Sequence, residues 1–452
     1  MPSSFICLGI LLLTAIIWFS LFKRPVYEVM FISFIILVAF TGTWGNIGRY
    51  INAGLSTNLI YSMVAFVAMS IILTKTKIID SCIAIILSLL GRITGGAGYV
   101  CVIASSFMGA LSGSGPGNLM ATGSLTIPAM IKSGFPRELA ANIGSNSSYM
   151  GNMIPPSANI VAAMGAYVAL YPNDDLTMGR FWIVLWGISF WFIFQRILMV
   201  WLFCKYYKVY PMDKSELPPF REVIKTGWQG MLLPVVILFP FVLDYAFKDN
   251  FFTARLGAEG AKYFSSSVLL FTAGISAIYT CLIAKDRKIV TPKSLAKMFA
   301  GGVKSISPAI GVCIIGYMIG SLFSDMNVAQ EVEAFIVSMN FNKFGMVLFI
   351  CALTCFLGMV VPGSSLVVIF GPVFISTLAT VGVPPLLAAA MLPCICGVMC
   401  GITPPLGLGM YAGMSLAESD FNKTFKNNLW WVAAQFIMQV LCLMSWLPII
   451  GM

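Results

Sequence analysis

Residues 109–118 read Gly109-Ala110-Leu111-Ser112-Gly113-Ser114-Gly115-Pro116-Gly117-Asn118. At a spacing of 249 positions, residues 358–365 read Gly358-Met359-Val360-Val361-Pro362-Gly363-Ser364-Ser365. Each is a patch rich in Gly, Pro or Ser in the middle of a long apolar region, 93–135 and 344–383. Non-helical backbone at membrane depth is tolerated only where protein buries it or water reaches it. Each region therefore reads as a re-entrant hairpin of two short helices, entering and leaving a bilayer on one side.

The rest of the chain supports a membrane setting. Of 452 residues, 59% are hydrophobic and 10% charged, where a soluble domain carries about 25% charged residues. About 20 apolar residues are needed per crossing. Ten such runs stand at roughly 4–22, 27–44, 55–75, 137–170, 181–204, 230–246, 261–284, 305–324, 386–415 and 429–448. The first has no basic region before it and no small-residue cleavage site, so it reads as a retained helix rather than a signal peptide.

The two broken regions belong to a repeat. At the 249 spacing, Phe107 and Gly109 fall on Phe356 and Gly358, and Pro136 on Pro385. Ala140-Ala141 fall on Ala389-Ala390, and Pro155-Pro156 on Pro404-Pro405, all without a gap. Internal repeats in membrane chains mark secondary transporters.

Charge orients the repeat. With the N-terminus outside, six of the 27 Lys and Arg fall outside: Arg49, Arg180, Lys248, Arg255, Lys262 and Lys343. Arg196 lies within a crossing, and the remaining 20 fall on the cytoplasmic side, as the positive-inside rule requires. The first hairpin, flanked by Arg92, Lys132 and Arg137, then dips in from the cytoplasm. The second, flanked by Asp325, Glu331 and Glu333, dips in from outside. The repeat is inverted on this reading. Each hairpin is preceded by a shorter run, 77–92 and 326–341, read as a helix lying in the interface; one more crossing is the alternative for the first.

Four polar interruptions carry the chemistry. They are the two tips, the stretch from Ser145-Asn146-Ser147-Ser148 through Pro155-Pro156, and Gly401-Ile402-Thr403-Pro404-Pro405. Proline lacks an N–H and frees the carbonyl four residues back, and Ser, Thr and Asn add neutral oxygens. Freed carbonyls favour a cation, and half-helix N-termini favour an anionic group. Two near-copies predict two cation sites flanking a central solute site, for which Ser145, Asn146, Ser147 and Ser364 are the candidates. Simple kinks or packing points are the alternative for any single patch. With no acidic residue in the tips, sodium fits better than a carboxylate proton relay. Arg196 and Asp244 sit near the ends of crossings, where snorkelling or scaffold pairing competes with a functional role.

Other classes are excluded. The chain has no His, which removes the commonest general base and metal ligand, and the core holds no carboxylate pair, so a membrane enzyme is not expected. The 12 cysteines are scattered, and even Cys394, Cys396 and Cys400 read as small buried hydrophobes rather than a metal site. A net charge of +10 without a basic stripe interleaved with aromatics does not point to nucleic acid. No cofactor is expected beyond the coupling sodium ions.

At these motifs the sequence resembles the large membrane (permease) subunit of tripartite ATP-independent periplasmic (TRAP) transporters, of the ion transporter superfamily. Ser112-Gly113-Ser114, Thr122-Gly123-Ser124-Leu125-Thr126-Ile127-Pro128, Met153-Ile154-Pro155-Pro156 and Gly401-Ile402-Thr403-Pro404-Pro405-Leu406-Gly407 look like that family's motifs. Pro218-Pro219-Phe220-Arg221 into Leu233-Pro234-Val235-Val236 looks like its connector. Gly358-Met359-Val360-Val361-Pro362 lacks the common acidic residue and looks like the TAXI-type subgroup, while the family's Thr-Pro-Thr-Glu-Ala signature is absent around Gly257 to Lys262.

The resemblance implies an all-α elevator transporter taking up a small organic anion with sodium. It implies a four-helix membrane subunit, expected as a separate chain, and a periplasmic solute-binding protein, acting in the inner membrane. By position, it implies one sodium site at Ser112, Gly113, Ser114 and Asn118 with backbone near Gly151 and Asn152. The other would use Gly358, Pro362, Ser364 and Ser365 with backbone near Gly401 and Thr403. The implied organisation is scaffold 1–76, first core 77–170, scaffold and connectors 171–325, second core 326–415 and a terminal helix 416–452. A stand-alone sodium-coupled anion carrier or a cation/proton antiporter of the same superfamily is the competing reading.

Overall fold

The prolines and glycines that divide the apolar sequence also divide the fold. The computed structural model describes residues 6–452 except 8, 12, 15–16, 19–25, 57, 113–114, 156, 172–173, 175, 214–216, 329–330, 332–333, 335–337, 339–340, 360–362 and 405–406. Among the described residues all regular structure is helical.

The first half runs through Val26–Thr41, a short helix Ile47–Leu55, Asn58–Lys75 and Ile78–Leu90. The first hairpin follows, Gly96–Ser112 packed against Gly115–Asn118, Leu119–Gly123 and Ser124–Lys132. The first broken helix is Arg137–Ser148 and Ala158–Leu170, and the long helix Met178–Tyr207 closes the half. Phe220–Met231, Leu233–Phe247, Thr253–Ile283 and Pro292–Asp325 lead to the second hairpin, Lys343–Gly358 and Gly363–Thr380. The second broken helix is Pro385–Leu392, Pro393–Val398 and Met399–Ile402, resumed at Leu408–Ala417, and Phe421–Leu443 ends the chain.

Local chemistry sets these boundaries. Thr177, Asn342 and Asp420 accept the N–H of Arg180 (3.2 Å), Gly345 (2.7 Å) and Lys423 (3.0 Å), capping three helix starts. Each hairpin leaves through a left-handed glycine, Gly134 (φ +91) and Gly382 (φ +83). The Phe135 N–H reaches Met130 O (3.1 Å) and the Val383 N–H reaches Leu378 O (3.0 Å), the bond that ends a helix on such a glycine. A helix opened by proline follows both times. These turns stand one residue out of the 249 register, since Gly134 corresponds to Val383.

Three helices among the described residues are long and apolar enough to cross a membrane: Met178–Tyr207, Phe220–Asp244 and Pro385–Ile402. Other expected crossings are present as shorter apolar helices, including Tyr27–Thr41, Asn159–Leu170 and Leu408–Ala417. Gly257, whose φ is +73, bends Thr253–Ile283. The expected interfacial run 77–92 is the helix Ile78–Leu90; most of 329–340 lies outside the described residues. The short helices Ile47–Leu55 and Phe220–Met231 were not expected. Both are strongly two-faced rather than uniformly apolar, so a search for apolar runs passes over them.

The core is centred on the broken helices. Leu139–Met150 and Leu387–Met399 are buried on every face, whereas Phe239, Phe271, Ile278 and Leu282 present their side chains outward. Two ion pairs fix which loops share a side: Arg49 with Asp325, and Arg137 with Glu418 at 3.0 Å. Both pairings agree with the loop placement derived from charge.

Candidate functional site

The described parts of the four interruptions meet. Gly109, near the end of the first hairpin's entering arm, lies against the first break, where a β-carbon on it would come within 2.7 Å of Gly151 Cα. Gly358 lies likewise 3.2 Å from Cys400 Cα by the same construction. Both residues of the second pair stand 249 positions after those of the first. The repeat is therefore a structural one, in the register read from the breaks.

The breaks also touch each other. Asn152 Nδ2 donates to Gly397 O at 2.7 Å, and the Tyr149 ring packs directly on Gly401 and Gly409. Glycine is required at 401, because any β-carbon there would fall inside the Tyr149 ring.

Each break begins later than the polar sequence suggests. Ser145–Ser148 remain in the helix Arg137–Ser148, and the tighter turn covers Tyr149–Asn152. Ser145 and Asn146 bond back to Asn142 O at 3.2 and 2.9 Å, so their side chains support the turn instead of opening it. In the second half the helix runs to Ile402, with Thr403 Oγ1 bonded to Met399 O at 2.7 Å.

Side-chain donors bond carbonyls at the breaks and in the first hairpin arm. Asn118 Nδ2 donates to Ser105 O (2.7 Å) and Ser148 O (2.9 Å). Asn428 Nδ2 donates to Ile402 O (2.6 Å), and Asn152 O takes Ser157 Oγ (2.8 Å). Around Asn118, the hydroxyls of Ser105, Thr122 and Ser148 lie 3.0–3.4 Å apart. The result is a buried cluster of neutral oxygens with no carboxylate. Asn152, half-buried, keeps Oδ1 free of hydrogen bonds among the described residues. Ser147 Oγ is buried and has no hydrogen-bond partner among the described residues.

The candidate residues divide accordingly. Asn118, Gly151, Asn152, Gly358 and Gly401 are at the meeting point, with Thr403 immediately after it. Ser364 is half-buried at the start of Gly363–Thr380. Gly113, Ser114 and Pro362 lie outside the described residues, as do the side chains of Ser112 and Ser365. Asn146 turns toward the terminal helix, with Nδ2 3.0 Å from Asn428 Oδ1. Sequence reasoning passed over Ser105, Thr122, Tyr149 and Asn428. A signal existed for the last: Thr424, Asn428, Gln435 and Gln439 recur at helical spacing on one face of Phe421–Leu443, all buried.

Arg196 does not snorkel. It is 1% exposed, with Nη2 donating to Gln435 Oε1 at 2.7 Å and Nη1 to Gln195 Oε1. Asp244, on Leu233–Phe247, is buried, accepting from Ser265 Oγ of Thr253–Ile283 at 2.6 Å. The cysteines recorded among the described residues are free, and no group of potential metal ligands forms among them.

An all-helical chain with apolar outward faces, whose paired broken helices meet at a carboxylate-free cluster, is a membrane transporter in architecture. Residues 5–449 match the family described as tripartite ATP-independent periplasmic transporter, DctM component, and the chain belongs to that family, the TRAP large permeases. It is thus a transporter subunit and not an enzyme. It is 21% identical over 365 residues to the C4-dicarboxylate TRAP transporter large permease protein DctM of Pseudomonas aeruginosa, covering 80% of this chain and 78% of that one. Identity to the sialic acid TRAP transporter large permease protein SiaM of Vibrio cholerae is 22%, covering 78% and 76%. The fold resembles that of Neisseria gonorrhoeae MtrF, with a TM-score of 0.65 at 13% identity over 92% of this chain and 86% of MtrF.

Proposed function

We propose that this chain is the permease of a sodium-coupled importer of a small organic anion. It works with a small four-helix membrane subunit and a periplasmic solute-binding protein, in the inner membrane with its N-terminus outside. The observation that carries the reading is the meeting of both breaks and both hairpins at neutral oxygens. Such oxygens replace the hydration shell of a monovalent cation without any proton chemistry. The first sodium site draws on Ser112, Gly113, Ser114, Asn118 and the backbone near Gly151 and Asn152. The second draws on Gly358, Pro362, Ser364, Ser365 and the backbone near Gly401 and Thr403. Solute lies between them, at Ser147 and Ser364. Relatives named for C4-dicarboxylate and sialic acid support an acidic solute.

Movement is of the elevator type, with the hairpins entering the bilayer from opposite sides. The Arg196–Gln435 bond ties Met178–Tyr207 to Phe421–Leu443, and the Asn142–Thr424 and Asn146–Asn428 bonds tie Phe421–Leu443 to the first broken helix. Both helices therefore travel with the hairpins, although 171–325 reads from sequence as scaffold. Pro292–Asp325 meets this body through small residues, Gly316 on Val368 and Tyr317 on Gly165, a contact suited to sliding.

The test is uptake into proteoliposomes holding both membrane subunits, with the binding protein outside. An inward sodium gradient should be required, and a disulfide between cysteines placed at 316 and 368 should arrest uptake reversibly. Full uptake without sodium, or with that cross-link closed, would sink the proposal.

A further inference from the structure

Across residues 96–131, 139–171, 181–204, 344–417 and 427–452, Arg196 is the one charged side chain. These stretches comprise both hairpins, both broken helices and the helix that follows each. A guanidinium stays protonated in proteins, so its charge is permanent. Among the described residues it makes no ion pair, and its Nε has no hydrogen-bond partner. A buried charge without a countercharge lowers stability, and an intramembrane charge with that cost points to function.

Its position relative to the site is set by a short chain of contacts. Gln435, which takes the Arg196 bond on Oε1, donates from Nε2 to Cys394 Sγ at 3.2 Å. Cys394 lies in the same turn, Pro393–Val398, as Gly397, whose carbonyl accepts Asn152 Nδ2. The guanidinium thus stands a few contacts from the meeting point of the breaks, close enough for a buried charge to act with little solvent screening. No carboxylate lies on Met178–Tyr207 itself, on Phe421–Leu443, which bonds it, or on Pro385–Ile402, which carries Cys394, so nothing on these helices cancels its field.

We infer that Arg196 is the fixed positive charge of the transported body, weakening cation binding at the breaks and favouring a solute of opposite sign. It acts through space as a positioning residue and touches neither ion. Cation affinity is kept low enough for release on the sodium-poor side, and the charge of the loaded body is biased toward accepting an anion. The inference rests on the sodium-coupled reading above and goes further by naming what sets ion affinity and solute sign.

The experiment measures thermal unfolding of the purified chain against sodium, with choline as the control cation, and sodium-dependent uptake by the complete reconstituted transporter. Arg196→Gln removes the charge and should lower the half-saturating sodium concentration about tenfold, while the apparent affinity for an anionic solute weakens. Gln435→Glu leaves the arginine in place and cancels its charge, and should shift sodium affinity the same way if Arg196→Gln does not fold. Arg196→Lys keeps the charge and loses the planar fork; it should be less stable yet hold its sodium dependence within about threefold. Tighter sodium binding is a gain that structural damage would not give. The inference is overturned if the folded neutralising variants keep the original sodium dependence, or if the lysine variant shifts as far as they do. Absence of any sodium effect on the unsubstituted chain overturns the sodium-coupled reading itself, and this inference with it.

Discussion

Gly109 sits so close to Gly151 that a β-carbon on it would lie 2.7 Å from the Gly151 Cα, leaving backbone pressed on backbone where the first hairpin meets the first break. The equivalent approach of Gly358 to Cys400 is looser, at 3.2 Å. Gly109→Ala should therefore destabilise the protein by about 1–3 kcal/mol and impair uptake, and Gly358→Ala should do less. Thermal unfolding of the two purified variants checks the order; equal effects would contradict the geometry.

Gly401→Ala should be more damaging still, because the new methyl group would occupy the Tyr149 ring. Shortening Tyr149 to alanine in the same chain removes the obstacle. The double variant should recover part of the folded yield lost by Gly401→Ala alone. Additive losses in size-exclusion yield would mean that the two residues do not collide.

Ser147 and Asn146 separate binding from support. The Ser147 hydroxyl is buried without a partner among the described residues, so Ser147→Ala should not lower stability. Uptake should nevertheless fall, since an oxygen held unpaired at this depth is available to a ligand. A variant with normal uptake would remove Ser147 from the solute site.

Asn146 and Asn428 form one bonded unit that continues to Ile402 O. Single alanine variants should each cost about 1–2 kcal/mol, and a double-mutant cycle should return a coupling of about 1 kcal/mol. Zero coupling would return Asn146 to the list of solute contacts.

Much of this architecture was legible because breakers are conspicuous in apolar sequence. The Pro136/Pro385 and Gly109/Gly358 pairs carried the repeat register, and the register holds in the contacts to Gly151 and Cys400. Exact break positions were not legible. Ser145–Ser148 look like loop by composition, yet a buried serine or asparagine can bond a carbonyl three or four residues back and stay helical. The role of the terminal helix was hidden for another reason. Its buried polar face has meaning only once the broken helix carrying Asn142 and Asn146 is laid beside it, a contact separated by more than 280 residues in sequence.

The joint made by Asn152 with Gly397 and by Tyr149 with Gly401 has a consequence for the two halves as objects. A half-chain ending near residue 208 would leave an aromatic ring and an amide facing nothing, on a surface that the other half is shaped to cover. Separately expressed halves should thus be incomplete alone and active only when co-inserted. The meeting of the two breaks is a seam, and neither half owns it.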